Sequence, residues 1–445
     1  MQGEKDREKG WYMYSTSLPL ATTVEALRND QVALDASINE ICARIEATEP
    51  YIEALLPEKN RRDRLLAEAR ALQERFPDPA SRPALYGALL GVKDLFTIDG
   101  FATHAGSQLP TKLFHGPEAL CIKKLREAGA LILGLTVAAE FAYLEPGRTR
   151  NPHNPEHTPG GSSSGSAAAV AAGYCHLALG TQTTGSIIRP AAFCGIFGFK
   201  PGYGRIATAG LIFCAPTLDT IGYFTQDLAG LQLIAPLLCE DWQAVAPPAT
   251  KPVLGIPDGH YLAQASSEAL TVFEQQVALL EQAGYTLRRI PAFQDIEAIN
   301  HRHLRLVCAE MARSHADWFG QYEILYRPRT AQAIRTGQAI SYPEFDLYRS
   351  SPQAFRTELT EIMESSGIDL WLSPSTPGPA PRGIDTTGDA SMNLPWTHAG
   401  LPVINLPAGR AGNGLPLGLQ VTGHFGRDEY LLASAPELAG ASGIC

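Results

Sequence analysis

The chain has 445 residues, 45% of them hydrophobic and 18% charged, with a formal net charge of −10. That length supports a core larger than one minimal domain needs, and the composition is that of a globular chain and not a disordered one. The acidic balance, with no Lys/Arg cluster to offset it, argues against nucleic acid as a partner. The cysteines (Cys42, Cys121, Cys175, Cys194, Cys214, Cys239, Cys308 and Cys445) are scattered without a CxxC pair, the pattern of small buried hydrophobes in a reducing compartment. The opening stretch MQGEKDREKGWYMYS mixes charges and holds no apolar secretory core. No run of about 18 apolar residues is present, so no membrane span is expected and the chain reads as cytoplasmic.

From about residue 22 to 77 apolar residues recur at three- and four-residue spacing, as in SINEICARIEATEPYIEALL and RLLAEARALQERF, which predicts helices. PDPASRP interrupts them. Beyond ALYGALLGVKDLFTIDG the texture becomes α/β: a helix over EALCIKKLREAGA is followed by a buried strand over ALILGLT. Residues 159–230 are the stretch richest in Gly, Ser and Thr. Longer helices return over roughly 255–365 (SSEALTVFEQQVALLEQAG, RHLRLVCAEMARSHADWF, SPQAFRTELTEIMESSG), and strand-like runs follow at IDLWLSPS and LPLGLQVTG.

Three stretches carry candidate chemistry. In TQTTGSIIRP (181–190), the N–H groups of Thr183, Thr184 and Gly185 could converge on an anion with Ser186 beside them as nucleophile. The competing role of these hydroxyls is to cap a helix N-terminus. In TPGGSSSGSAAAVAAG (158–173) the run Gly161–Gly165 fits G-x-S-x-G, but NPHNPEHTP precedes it where a nucleophile elbow needs an apolar strand, and no His and acid are singled out to complete a triad. In GALLGVKDLFTIDG, Lys93 closes an apolar run. It either reaches out to solvent from a strand end or stays buried as a neutral amine able to act as a base.

Together these stretches resemble the amidase signature family: GGSSSGSAAAVAAG followed by LALGTQTTGSIIRPAAFCGIFGFKP spans nearly the whole family motif, the lysine stretch lies upstream, and LPVINLPAG with LPLGLQVTG resembles the C-terminal strands. The resemblance implies an α/β fold with a large mixed central sheet sandwiched by helices. Its parts would be an N-terminal helical section (1–85) on the core, the signature core (86–230), a helical insertion (231–365) and a C-terminal part returning to the sheet (366–445). It also implies an amidase working through an acyl-enzyme, with Ser186 as nucleophile, Ser162 as bridging serine and Lys93 as base. In this family the peptide bond into the bridging serine is cis, with Gly160 and Gly161 relieving the crowding around it. No cofactor and no metal are implied. The family usually carries Gly-Gly-Ser at the nucleophile, whereas this chain has Thr184-Gly185-Ser186. A β-branched residue there restricts the backbone and either narrows the acyl pocket or marks lost activity.

NPHNPEHTPGGSSSGS, GTQT, SIIRP and DTTGDASMNLPWTHAGLP lean toward malonamidases and the catalytic subunits of carboxybiuret hydrolases, in which the arginine three residues after the nucleophile reads a substrate carboxylate. That residue is Arg189 here, with pairing to a buried acid as its structural alternative. The partners this implies are a small amide substrate, a second copy of the chain, and a small helper subunit. Two other readings stand beside it: the A-type subunit of a tRNA amidotransferase, which frees ammonia from glutamine with partner subunits, and a non-catalytic homologue acting as a binding protein. His153 and His157 are separated by Pro155, so they do not share a helix face as metal ligands would. Asp219 reads as structural, in the loop that closes the signature segment.

Overall fold

The computed structural model describes residues 14–444. The expectations for residues 1–13 and Cys445 lie outside the described residues. The expected N-terminal helices form α1 (Leu20–Arg28), α2 (Leu34–Ile52) and α3 (Arg61–Arg75). α2 buries Leu34, Ile38, Ile41, Cys42 and Ile45, the three- and four-residue spacing read from the sequence. α3 buries only Leu65 and Ala69. It is held to the sheet by Arg64, which donates to the carbonyls of Ile132 and Leu133 at 2.9 and 3.1 Å.

One ten-stranded mixed sheet crosses the molecule. Its strands are β1 (Leu89–Lys93), β2 (Leu131–Thr136), β3 (Leu177–Gln182), β4 (Phe197–Lys200), β5 (Thr220–Thr225), β6 (Leu254–Asp258), β7 (Leu287–Pro291), β8 (Leu370–Pro374), β9 (Val403–Arg410) and β10 (Pro416–Thr422). They lie in the order β2-β1-β3-β5-β4-β9-β10-β8-β6-β7. β1 runs parallel to both β2 and β3, and the middle of the sheet is antiparallel. Every residue of β1 to β5 is buried, as strands covered by helices on both faces require. The helices over these faces include α4 (Leu120–Glu127), α5 (Ser164–Ala171), α6 (Ile188–Phe193), α7 (Leu228–Leu238) and α8 (Ser267–Gln282). The seven described cysteines are buried and free.

The stretch 231–365 differs from the helical insertion expected for it. It does hold α8, α9 (Ile296–Ser314), α10 (Ala316–Tyr322), α11 (Pro328–Gln338) and α12 (Tyr342–Ser366), but it also supplies β6 and β7, which pair in parallel and extend the sheet beyond β8. β7 reads LRRIP with only Ile290 buried, so this outermost strand shows no apolar alternation. α12 starts well before SPQAF, at a capping box in which Ser341 and Glu344 satisfy each other's backbone N–H. α13 (Leu394–His398) and α14 (Asp428–Ala441) complete the chain order.

α9 matters most for the site because Asn300, Leu304 and Val307 on it line the central cleft. α11 crosses it closely: a Cβ added at Gly337 would lie 1.8 Å from the Cys308 carbonyl oxygen and 2.8 Å from Ala312 Cβ. Gly337→Ala is expected to push the two helices apart and destabilise the chain by about 1–3 kcal/mol, as overpacking does. Thermal unfolding checks this, and an unchanged midpoint would show that the crossing is looser than described.

Candidate active site

Parallel pairing places the C-terminal ends of β1 and β3 side by side, with Val92 opposite Leu179. Lys93, last residue of β1, therefore meets the residues that leave β3. Its side chain has no exposed surface, which removes the solvent-reaching alternative. Nζ lies 2.8 Å from Ser162 Oγ, 2.7 Å from Thr181 Oγ1 and 3.4 Å from the Thr181 carbonyl. Burial lowers the Lys93 amine to about 7, with the carboxylate of Asp219 pulling the other way.

Ser162 sits just before α5, and the Gly161–Ser162 peptide bond is cis. Gly160 adopts φ +84°, and a Cβ there would meet Pro190 Cα at 2.8 Å, so this turn accepts only glycine without a shift of the backbone. The serines that follow stitch the segment to the sheet. Ser163 Oγ donates to the Thr181 carbonyl at 3.2 Å, and Ser166 Oγ donates to the Leu179 carbonyl at 2.8 Å.

Ser186 lies in the turn between β3 and α6. The N-cap position of α6 is Ile187, and no side chain of that residue caps the helix. Gln182 does that work instead, its Oε1 accepting from the N–H groups of Ile187 and Ile188 at 2.7 and 3.0 Å. The hydroxyls of Thr183 and Thr184 are engaged elsewhere. Thr183 donates to Asp219 Oδ1 at 2.5 Å, and Thr184 Oγ1 lies 3.1 Å from His303 Nε2. The Thr184 carbonyl accepts from Thr397 Oγ1 at 2.6 Å. Among the described residues none supplies an acceptor to the N–H of Thr184, Gly185 or Ser186. Such a nest is able to receive an anion.

Thr183, Thr184, Ser186 and Arg189 line one cavity of about 280 Å³, which Tyr143, Val307 and Leu394 also line. Arg189 is buried, and burial lowers its guanidinium to about 10. In place of the buried acid weighed as its structural alternative, its hydrogen bonds go to neutral oxygens, while the nearby Asp389 pulls the guanidinium back up. Nη1 donates to the Gly388 carbonyl at 2.7 Å, and Nη2 donates to the Gly161 carbonyl at 2.6 Å and Thr387 Oγ1 at 3.1 Å. The buried Nε has no hydrogen-bond partner among the described residues. Asp219, besides holding Thr183, accepts through Oδ2 from the N–H groups of Cys214 and Ala215 at 2.7 and 3.0 Å, and burial raises its carboxyl to about 6. His153 and His157 each face a different backbone carbonyl, of Cys194 and of Ala380, both at 2.8 Å.

The structure thus brings Lys93 and Ser162 into contact and sets Ser186, Thr183, Thr184 and Arg189 around one cavity. Sequence reasoning missed Thr181, the second hydroxyl on Lys93, although it belongs to the same TQTT run. It also missed His303, which reaches Thr184 from α9 with no local signal.

The family described as Amidase matches residues 36–432, and the chain belongs to it. The A-type subunit of a glutamyl-tRNA(Gln) amidotransferase from Nitratidesulfovibrio vulgaris (strain DP4) is 31% identical over 472 aligned positions, covering 94% of this chain and 95% of that relative. A solved amidase is 30% identical with a TM-score of 0.84, covering 94% of this chain and 99% of its own. A chain solved in work on a vestigial protein complex and the origins of an s-triazine catabolic enzyme shares the fold at 24% identity and a TM-score of 0.85, covering 96% and 99%. The protein is therefore an amide-hydrolysing enzyme. Among its described residues no helix is long and apolar enough to cross a membrane.

A lysine whose amine is lowered to about 7 in the fold, against an ordinary 10.5, binds fewer protons than the unfolded chain between those two pH values. Stability contributed at this site therefore rises with pH across that window and is flat below it. Lys93→Met is expected to be more stable than wild type near pH 6, with the gap closing toward about pH 10. Lys200, buried and lowered in the same way, leaves a residual slope in both proteins. Chemical denaturation at several pH values checks this, and a Lys93→Met protein with an unaltered slope would contradict it.

Proposed function

We propose that the enzyme hydrolyses the C–N bond of a small amide bearing a carboxylate, through an acyl-enzyme on Ser186. The observation that carries this reading is the buried Lys93 amine, lowered by burial to about 7 and lying 2.8 Å from Ser162 Oγ, with Ser186 lining the cavity beyond. With Nζ neutral, the Ser162 hydroxyl donates to it. Ser186 Oγ attacks the amide carbonyl and passes its proton to Ser162, whose own proton moves to Lys93. The N–H groups of Thr183, Thr184 and Gly185 meet the negative charge that develops on the carbonyl oxygen. As the intermediate collapses, the proton returns by the same route to the departing nitrogen, and water then repeats the sequence to release the acid.

Arg189 is the residue proposed to read the carboxylate. Its terminal nitrogens brace the Gly161 and Gly388 carbonyls, which leaves Nε–H as a buried donor for a ligand. Ammonia release from paired carboxylated and neutral small amides tests the reading. Wild type is expected to favour the carboxylated member, and Ser186→Ala to hydrolyse neither. Arg189→Lys should lower the carboxylated-to-neutral ratio of kcat/KM about thirtyfold or more, given the loss of about 2–5 kcal/mol typical of a broken buried charge pair. Equal loss on both substrates would make Arg189 a brace for the Gly161–Ser162 segment only, and a wild type that favours neutral amides would remove the carboxylate from the reading.

A second reading draws on the relatives of about 30% identity named as A-type amidotransferase subunits, and it makes this chain the ammonia-releasing component of a complex. Glutaminase activity that appears only with co-purifying proteins would favour it. The same purification shows whether the chain travels with a second copy of itself or with a small helper protein. The binding-protein reading is disfavoured by the intact Lys93–Ser162 contact.

A further inference from the structure

Thr184 stands where the family usually carries glycine, and its side chain ends a line of polar groups that the reaction above does not use. Thr184 Oγ1 lies 3.1 Å from His303 Nε2, His303 Nδ1 lies 3.2 Å from His398 Nδ1, and His398 Nε2 lies 2.9 Å from Ser351 Oγ. Both rings are buried. Burial holds His398 down to about 4, and burial together with the neighbouring His398 holds His303 well below the usual histidine range. The Thr183 backbone beside His303 pulls the other way without overcoming them. Each ring is neutral and has one N–H and one lone pair.

Each ring contact admits either tautomer, and we assign the direction of the line from its far end. Ser351 has a single hydroxyl proton, and it donates that proton to the Tyr348 carbonyl at 2.7 Å. Toward His398 it can offer only a lone pair, so His398 carries its proton on Nε2 and is bare at Nδ1. His303 must then donate from Nδ1, which leaves its own Nε2 bare. The Thr184 hydroxyl proton goes to that nitrogen. The Thr184 oxygen, on a residue that lines the cavity with Ser186, retains lone pairs only.

We propose, resting on the amidase reading, that Thr184 is a specificity-determining residue: its oxygen accepts an N–H from the scissile nitrogen of the bound amide, with His303 and His398 as positioning residues that keep it an acceptor. The accepted N–H stays on the nitrogen throughout. Holding it turns the nitrogen lone pair toward the relay, which supplies the proton needed for departure. Primary and secondary amides have such an N–H, whereas esters and tertiary amides do not.

The test is kcat/KM for a primary amide, its N,N-dimethyl analogue and the methyl ester of the same acyl group, measured on wild type, Thr184→Val, Thr184→Ser and His303→Phe. In Thr184→Val, which removes the acceptor while keeping the shape, the ratios of primary amide to ester and to dimethyl amide are expected to fall about three- to tenfold, the effect of one neutral hydrogen bond. Thr184→Ser should restore both ratios, and His303→Phe, which frees the hydroxyl to turn, should lower them. Ratios in Thr184→Val that are unchanged or raised would overturn the assignment while leaving the amidase reading intact. A wild type that cleaves none of the three would overturn that reading and this inference with it.

Discussion

Lys93 ends a buried strand with no exposed surface, and the nearest polar atoms to its amine are two hydroxyls, of Ser162 and Thr181. An ammonium ion there gives up its water and finds mostly neutral oxygens, so the uncharged amine is favoured down to about pH 7. Much of the surrounding architecture serves that condition. The parallel pairing of β1 with β3 brings the lysine to Thr181, and the short Ser/Gly/Ala helix α5 lies close enough to β3 for its serines to bond the strand. The buried Arg189 guanidinium adds a further push toward the neutral amine, and Asp219 opposes both. The lysine's protonation is therefore set first by its burial, with Asp219 and Cys214 opposing that push and Arg189 adding to it.

The turn that carries Ser186 is gripped from both sides. Gln182 holds the N–H groups of Ile187 and Ile188, Thr397 holds the Thr184 carbonyl, and Asp219 and His303 take the hydroxyls of Thr183 and Thr184. With the side chains so engaged, the N–H groups of the turn remain for a ligand. This is the preorganisation an oxyanion site requires, because donors already aimed need not reorganise as charge develops. Arg189 contributes to the same order by bridging the Gly161 carbonyl beside Ser162 to the Thr387–Gly388 loop.

Much of this was legible in the sequence because the motif residues fall in two compact stretches. Lys93, Ser162 and Ser186 came from the family pattern, and the longer helices with the strands β2, β8 and β10 came from apolar spacing and runs, whereas the buried β3 to β6 were not singled out. What else escaped was long-range or exposed. β7 carries Arg288 and Arg289 in its middle, and an edge strand facing solvent needs no apolar alternation. The first turns of α12 are largely exposed, so its start was marked only by the Ser341–Glu344 box and not by a hydrophobic stripe. His303 and His398 lie on α9 and α13, far apart in the chain, and nothing local in either helix announces that they meet. The alternative weighed for Arg189, hydrogen bonding to a buried acid, is not what its terminal nitrogens do, because backbone carbonyls, which no side-chain pattern encodes, accept from them.

The most direct measurement of the central claim is the rate at which a serine-directed fluorophosphonate modifies the protein as pH is varied, with the adduct located by peptide mass. A neutral Lys93 acting through Ser162 predicts one adduct, on Ser186, forming at a rate that rises through an inflection near 7 and then levels. An adduct on another residue, or a rate on Ser186 that ignores pH across that range, would contradict it.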